Sequence, residues 1–103
     1  MTPARERGEQ AVQAWTLRLM GDIAAHAASP DVTTAHVHYD AALTLASDLD
    51  MRPVVAHCHA GLGRLYRRTG RAEQAHEHLR HAVAMYGEMG MTFWLQQLDE
   101  RAQ

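Results

Sequence analysis

The sequence is poor in most of the features that announce a chemistry. Its 103 residues include a single cysteine, Cys58. No disulfide can form within the chain, and a reducing, cytoplasmic setting is expected. No apolar run approaches the ~20 residues needed to cross a bilayer. The opening residues MTPARERGEQ lack the apolar core of a signal peptide, so no membrane partner is expected. A formal charge of −2 gives no basic field for nucleic acid. Gly61-Leu62-Gly63 is not followed by the Lys and Ser/Thr of a phosphate loop, and the carboxylates are not paired for acid–base work. No catalytic residue and no cofactor is expected, and the chain does not read as an enzyme. With three prolines and few β-branched residues, little interrupts a helix or favours a strand.

What the chain does have is a pattern that occurs twice. From Ala56 to Ala82 it reads AHCHAGLGRLYRRTGRAEQAHEHLRHA. Gly63 and Ala75 are small enough to let two antiparallel helices approach closely, while Leu62, Tyr66 and Leu79 fill the wedge beside them. Thr69-Gly70-Arg71 supplies the turn, with Gly70 where a helix end favours a left-handed residue. Upstream, Ala14, Leu17, Met20, Gly21 and Ala24 align with Ala56, His59, Leu62, Gly63 and Tyr66 at a constant offset of 42, and Ala35, Tyr39 and Ala42 align with Ala75, Leu79 and Ala82 at an offset of 40. Extra residues in the turn at Ser29-Pro30-Asp31 absorb the difference. These aligned residues, without Met20, Ala24, Ala56 and His59, are the expected core.

The apolar period places helices at about 9–28, 32–49, 52–69, 72–89 and from 92 onward. Asp31 or Thr33 can cap the second, and Pro53 suits the first turn of the third. Gly8, Asp50 and Gly90 hold the same place in successive junctions, so Arg5-Glu6-Arg7-Gly8 reads as the end of an earlier helix and a turn. The chain is thus expected to begin inside a repeat. Repeat one covers about 9–49, repeat two about 52–89, and 92–103 begins a third, with Phe93 aligned on Pro53, all in one domain.

The double pattern resembles the tetratricopeptide repeat, a helix–turn–helix unit that stacks into a solenoid. His59 and Gly87 stand where that motif often has Trp and Pro. The longer period and the phrases MRPVVAHCHAGLGRLYRRTGR, HYDAALTLASDL and EMGMTFWL resemble the C-terminal repeat regions of large bacterial regulators that carry ATPase modules, with adenylate/guanylate cyclase or LuxR-type DNA-binding domains. The resemblance implies an all-α, short right-handed solenoid of five helices, the last packed on the fourth as a cap. It also implies a scaffold or interaction role without catalysis.

In such arrays the first helix of each repeat lines a concave groove. The positions pointing into it are Trp15, Arg18, Asp22 and His26 in repeat one, and His57, Ala60, Arg64, Arg67 and Arg68 in repeat two. Of these, Trp15, Arg18, Asp22, His57, Arg64, Arg67 and Arg68 are the candidate binding residues. They suit an acidic protein segment held by Arg forks. Eight histidines invite a metal. His78 and His81 can share a helix face, but a structural zinc site takes four ligands. His57 and His59 are ~200° apart on a helix. No metal site is expected, the histidines reading as surface or half-buried polar groups and Cys58 as a packed thiol. Trp15 and Leu17 at one end, and Phe93, Trp94, Leu95 and Leu98 at the other, are expected to make the isolated chain self-associate, most simply as a dimer.

Overall fold

A computed structural model describes the backbone of residues 4–27, 29 and 31–102, and side chains within 5–98 of that range. It contains five helices: α1 (Ala4–Ala25), α2 (Val32–Asp48), α3 (Arg52–Arg68), α4 (Ala72–Glu88) and α5 (Thr92–Ala102). The described residues form no strand. α1 pairs with α2 and α3 with α4, α2 packs across onto α3, and α5 lies on α4. This is the all-α repeat arrangement that the aligned small residues demand.

The middle of the chain keeps a strict rhythm. α2, α3 and α4 are each 17 residues long, and each ends in the same way. Asp50, Gly70 and Gly90 have φ of 57°, 81° and 69°. The next amide in each case reaches back over the turn: Met51 N–H to Ala46 O at 2.8 Å, Arg71 N–H to Tyr66 O at 2.8 Å, and Met91 N–H to Tyr86 O at 2.9 Å. A left-handed residue that closes this bond satisfies carbonyls that a helix end would otherwise strand. Asp31 caps α2, accepting from Thr34 N–H at 3.0 Å and Thr34 Oγ1–H at 2.6 Å. Pro53 sits in the first turn of α3.

One junction differs from the expectation. Gly8 does not turn the chain; it lies within α1, which begins at Ala4 rather than near Glu9. Gly8 lacks a positive φ, and nothing approaches within 4 Å of a Cβ placed on it. These residues make the helical hydrogen bonds of α1 instead, supported by the Arg5–Glu9 pair one turn apart. α1 ends at Ala25 rather than Ala28; Ala28 itself lies outside the described residues.

The core is built where helices touch closely. A Cβ on Gly63 would lie 2.6 Å from Leu79 Cγ, and one on Gly21 2.8 Å from Tyr39 Cδ1. The aligned glycines are therefore the same notch in two repeats, filled by the aligned residues Leu79 and Tyr39. Gly61, which the pattern did not single out, makes room for the outer end of the Tyr39 ring: a Cβ there would meet Tyr39 Cζ at 2.5 Å. Tyr39 thus passes between α1 and α3 and is fully buried. Of the expected core, Leu17 and Leu79 are only half-buried. Both sit at the margin of their cluster, where the neighbouring helix covers one side.

Candidate binding groove

Helices α1, α3 and α5, with one residue of α4, line a cavity of about 300 Å³. α1 contributes Arg18, Asp22 and His26; α3 contributes His57 and Arg64; α5 contributes Trp94, Gln97 and Leu98; Tyr86 comes from α4. Four of the seven expected binding residues, Arg18, Asp22, His57 and Arg64, are therefore brought together. They converge because residues four apart share a helix face and because α1, α3 and α5 follow one another along one side of the array.

Charge in this cavity is arranged from below. Asp22 receives the Tyr39 hydroxyl on Oδ1, while Arg18 Nε stands 3.1 Å from Oδ2. The hydroxyl reaches Asp22 only because the ring slides between Gly21 and Gly61. Burial, and then the Asp22 carboxylate that accepts its proton, push Tyr39 ionisation well above the ordinary phenol range, so it remains a donor. Asp22 in turn holds the Arg18 side chain beside it. Two guanidinium groups and one already engaged carboxylate leave the cavity with an excess of positive charge.

His57 adds shape rather than charge. It is 5% exposed, which corrects its reading as a surface or half-buried histidine. A hydrogen bond of 2.7 Å links its Nδ1 to the Tyr86 hydroxyl oxygen. Its ring lies against Trp94 edge-on at 4.6 Å between centroids, with Tyr86 at 5.5 Å and Trp15 at 5.9 Å. Burial, aided by the Arg18 charge, lowers its pKa to about 4. At neutral pH it is an uncharged aromatic wall. Tyr86, pushed up to about 12 by burial, also stays neutral.

Trp15 is partly exposed beside His57, at the edge of the cavity rather than in its lining. Arg67 and Arg68 depart from the expected set. Arg68 donates through Nη1 to the Ala25 carbonyl at 2.8 Å, closing the C-terminus of α1 and tying it to α3. Arg67 lines a separate depression with Ala72, Ala75, His76 and Leu79 of α4. Arg64 and Arg68 share a helix face, being four residues apart, but Arg68 lies one turn nearer the end of α3 and is held there by the Ala25 carbonyl.

Tyr86, Trp94, Gln97 and Leu98 line the cavity without having been placed in the groove from the sequence. Trp94 reads in the sequence as part of an apolar end. The signal was nonetheless present, because Gln97 aligns with His57 at the same offset of 40 that places Phe93 on Pro53.

His36, His59, His78 and His81 gather apart from this cavity. His59 Nδ1 is 3.0 Å from His78 Nδ1, His81 stacks on His59 at 5.1 Å, and Tyr66 bridges to His36 with its hydroxyl 2.8 Å from Nε2. Burial first, then the charges of His78 and His81, lower the His59 pKa to about 4. Among the described residues no three His, Cys, Asp or Glu side chains are disposed to hold a metal ion. Cys58 is buried, and burial pushes its thiol up to about 12, the environment of a packing group and not of a nucleophile. None of the described helices is long and apolar enough to cross a membrane.

A family model described as Tetratricopeptide repeat matches residues 13–88. No curated protein and no solved structure matches the chain.

Proposed function

Because the chain belongs to the tetratricopeptide repeat family, whose domains generally mediate protein–protein interaction or scaffolding, we propose that it binds an acidic segment of a partner protein in the groove between α1, α3 and α5. The observation that carries this reading is the composition of one cavity: Arg18 and Arg64 with Asp22 already engaged, walled by neutral His57, Tyr86 and Trp94. A carboxylate of the partner meets the guanidinium groups, and an adjacent apolar side chain lies on Trp94, with Trp15 at the rim. Desolvated, charge-assisted bonds of this kind are roughly twice as strong as neutral ones. The segment acts as a non-catalytic part of a cytoplasmic bacterial regulator, in keeping with the resemblance of its sequence to the repeat regions of such proteins.

Titration of acidic, neutral and basic peptides of about ten residues tests this. The acidic set binds, weakens as salt rises because the Debye length shrinks below ~10 Å, and loses at least tenfold in affinity with Arg64→Gln. Equal affinity for all three peptide classes, or an Arg64→Gln variant that binds like the native protein, would show that the groove is not the site.

A second reading is supported by the exposed apolar residues at the two ends, Ile23 and Leu19 on α1 and Phe93 on α5. In it the chain is chiefly an assembly element that associates with itself as a dimer. Sedimentation between micromolar and millimolar concentration distinguishes it: a constant monomer mass removes this reading and leaves the groove reading untouched.

A further inference from the structure

The outward face of α1 carries a stripe of apolar side chains in water. Val12 is 66% exposed, Leu19 50%, Met20 41% and Ile23 72%. Moved on by the repeat offset of 42, these positions become Val54, Gly61, Leu62 and Leu65 of α3. There the exposures of Val54, Leu62 and Leu65 are 0%, 1% and 2%, and Gly61 is buried too. What buries them is α2, through Tyr39, Ala42, Leu43 and Ala46, which share their clusters. α1 and α3 therefore present the same face, covered in one case and bare in the other.

From this correspondence we infer that the bare face of α1 is a docking surface for one further helix, the second helix of a neighbouring repeat, laid antiparallel as α2 lies on α3. The occupant's chemistry follows from one difference between the faces. Gly61 leaves the space that the Tyr39 ring fills. α1 has Leu19 in that place, so the notch is filled from the α1 side. The docked helix must offer Ala or Gly opposite Leu19, flanked by aliphatic and small residues at i+3, i+4 and i+7. An α2-like helix with its tyrosine retained would clash. Gly8 fits the same scheme: it stands 42 residues before Asp50, the left-handed residue that ends α2, and has open space around it. This inference concerns α1's outer face and stands apart from groove binding.

The test joins a copy of residues 31–49, carrying Tyr39→Ala, directly to Gly8 in place of residues 1–7, so that the new junction repeats the register of Leu49-Asp50. The extra helix should raise Tm by about 5 °C or more. Leu19→Glu with Ile23→Glu should remove that gain, while changing the Tm of the 103-residue chain little, since both sites are exposed in it. The chimera with Tyr39 retained in the added copy should gain less. An unchanged Tm with added helicity by circular dichroism would overturn the inference. So would a gain that survives both glutamates, or an equal gain with tyrosine kept. If the chimera does not fold, the same 19-residue peptide is added in trans to the 103-residue protein. A change in Trp15 fluorescence that Leu19→Glu/Ile23→Glu abolishes supports the docking surface, and no binding up to millimolar peptide overturns it. A 103-residue chain that dimerises through this face in preference to binding the peptide would also overturn it, by making the occupant a second copy.

Discussion

Repeats one and two share a notch and differ in what fills it. Gly21 and Gly63 both admit a side chain from the second helix of the pair; the first receives Tyr39 and the second Leu79. Leu79 ends in the contact. Tyr39 continues past it, its outer end given room by Gly61, and delivers a hydroxyl to Asp22. A purely steric device in repeat two has become, in repeat one, the support of a charged site. The repeat fixes backbone separation; the residue that crosses the notch decides whether the groove above it acquires chemistry.

Substitutions at the two notches should differ accordingly. Gly61→Leu drives a branched side chain into a rigid, fully buried ring that also abuts Gly21, and should cost about 3 kcal/mol or more in urea unfolding. A Cβ on Gly63 would meet Leu79 Cγ at 2.6 Å and the Ala75 carbonyl at 3.3 Å, so Gly63→Ala should cost about 1 kcal/mol, much of which is recovered when the substitution is made in a Leu79→Ala background. Equal losses at the two sites, or no recovery, would erase the distinction between a rigid and a yielding occupant.

Acid should expose the neutral histidines. His57 and His59 have native pKa values of about 4, below the ordinary 6.5. The unfolded chain therefore takes up protons first, so their contribution is fully present above pH 6.5, falls as pH drops below it, and levels off near pH 4. After allowance for partial exposure, the loss between pH 7 and 4.5 should be on the order of 2 kcal/mol. His59→Gln should shrink it. A stability flat across this range would mean that both rings are charged or well solvated in the folded protein.

Removing the Tyr39 hydroxyl is a smaller change. Tyr39→Phe keeps the wedge and leaves Asp22 without that donor, a cost of about 1–2 kcal/mol. Its more telling effect is on binding: with Arg18 less firmly held, affinity for an acidic peptide should drop severalfold while the helical spectrum is unchanged. Smallest of all is Asp50→Gly. A non-glycine residue at φ 57° carries strain that glycine removes, set against glycine's larger unfolded-state entropy, for a net gain of about 0.5 kcal/mol. A loss instead would mean that the Asp50 side chain contributes more than its backbone costs.

The helices and their pairing were legible because they depend on spacing that repeats: glycines at 21 and 63, alanines at 35 and 75, and turn residues at 50, 70 and 90. The start of α1 was not. Gly8 stands at a turn position of the repeat, but its φ is not positive and it lies inside α1, since a glycine permits a left-handed turn without imposing one. The groove was half legible. Helical phase put Arg18, Asp22, His57 and Arg64 on one side. It could not reveal that Arg68 spends its guanidinium on the Ala25 carbonyl, since that carbonyl is 43 residues away. Nor could it show that Tyr39 reaches through to Asp22, since this depends on Gly61, a residue outside the aligned pattern.

The most direct test of groove recognition is the 1H–15N spectrum of the labelled protein, with side-chain signals assigned, during titration with an acidic peptide. Binding in the groove should move the indole N–H of Trp94 and the guanidinium Nε–H of Arg18 and Arg64, with a smaller change at the Trp15 indole. The ring nitrogen signals of His59 and His78 and the backbone amide of Tyr66, on the other side of α3, should stay in place, and added salt should reverse the shifts. Shifts centred on those groups with the Trp94 and Arg64 signals unmoved, or no shifts with any acidic peptide, would contradict the account.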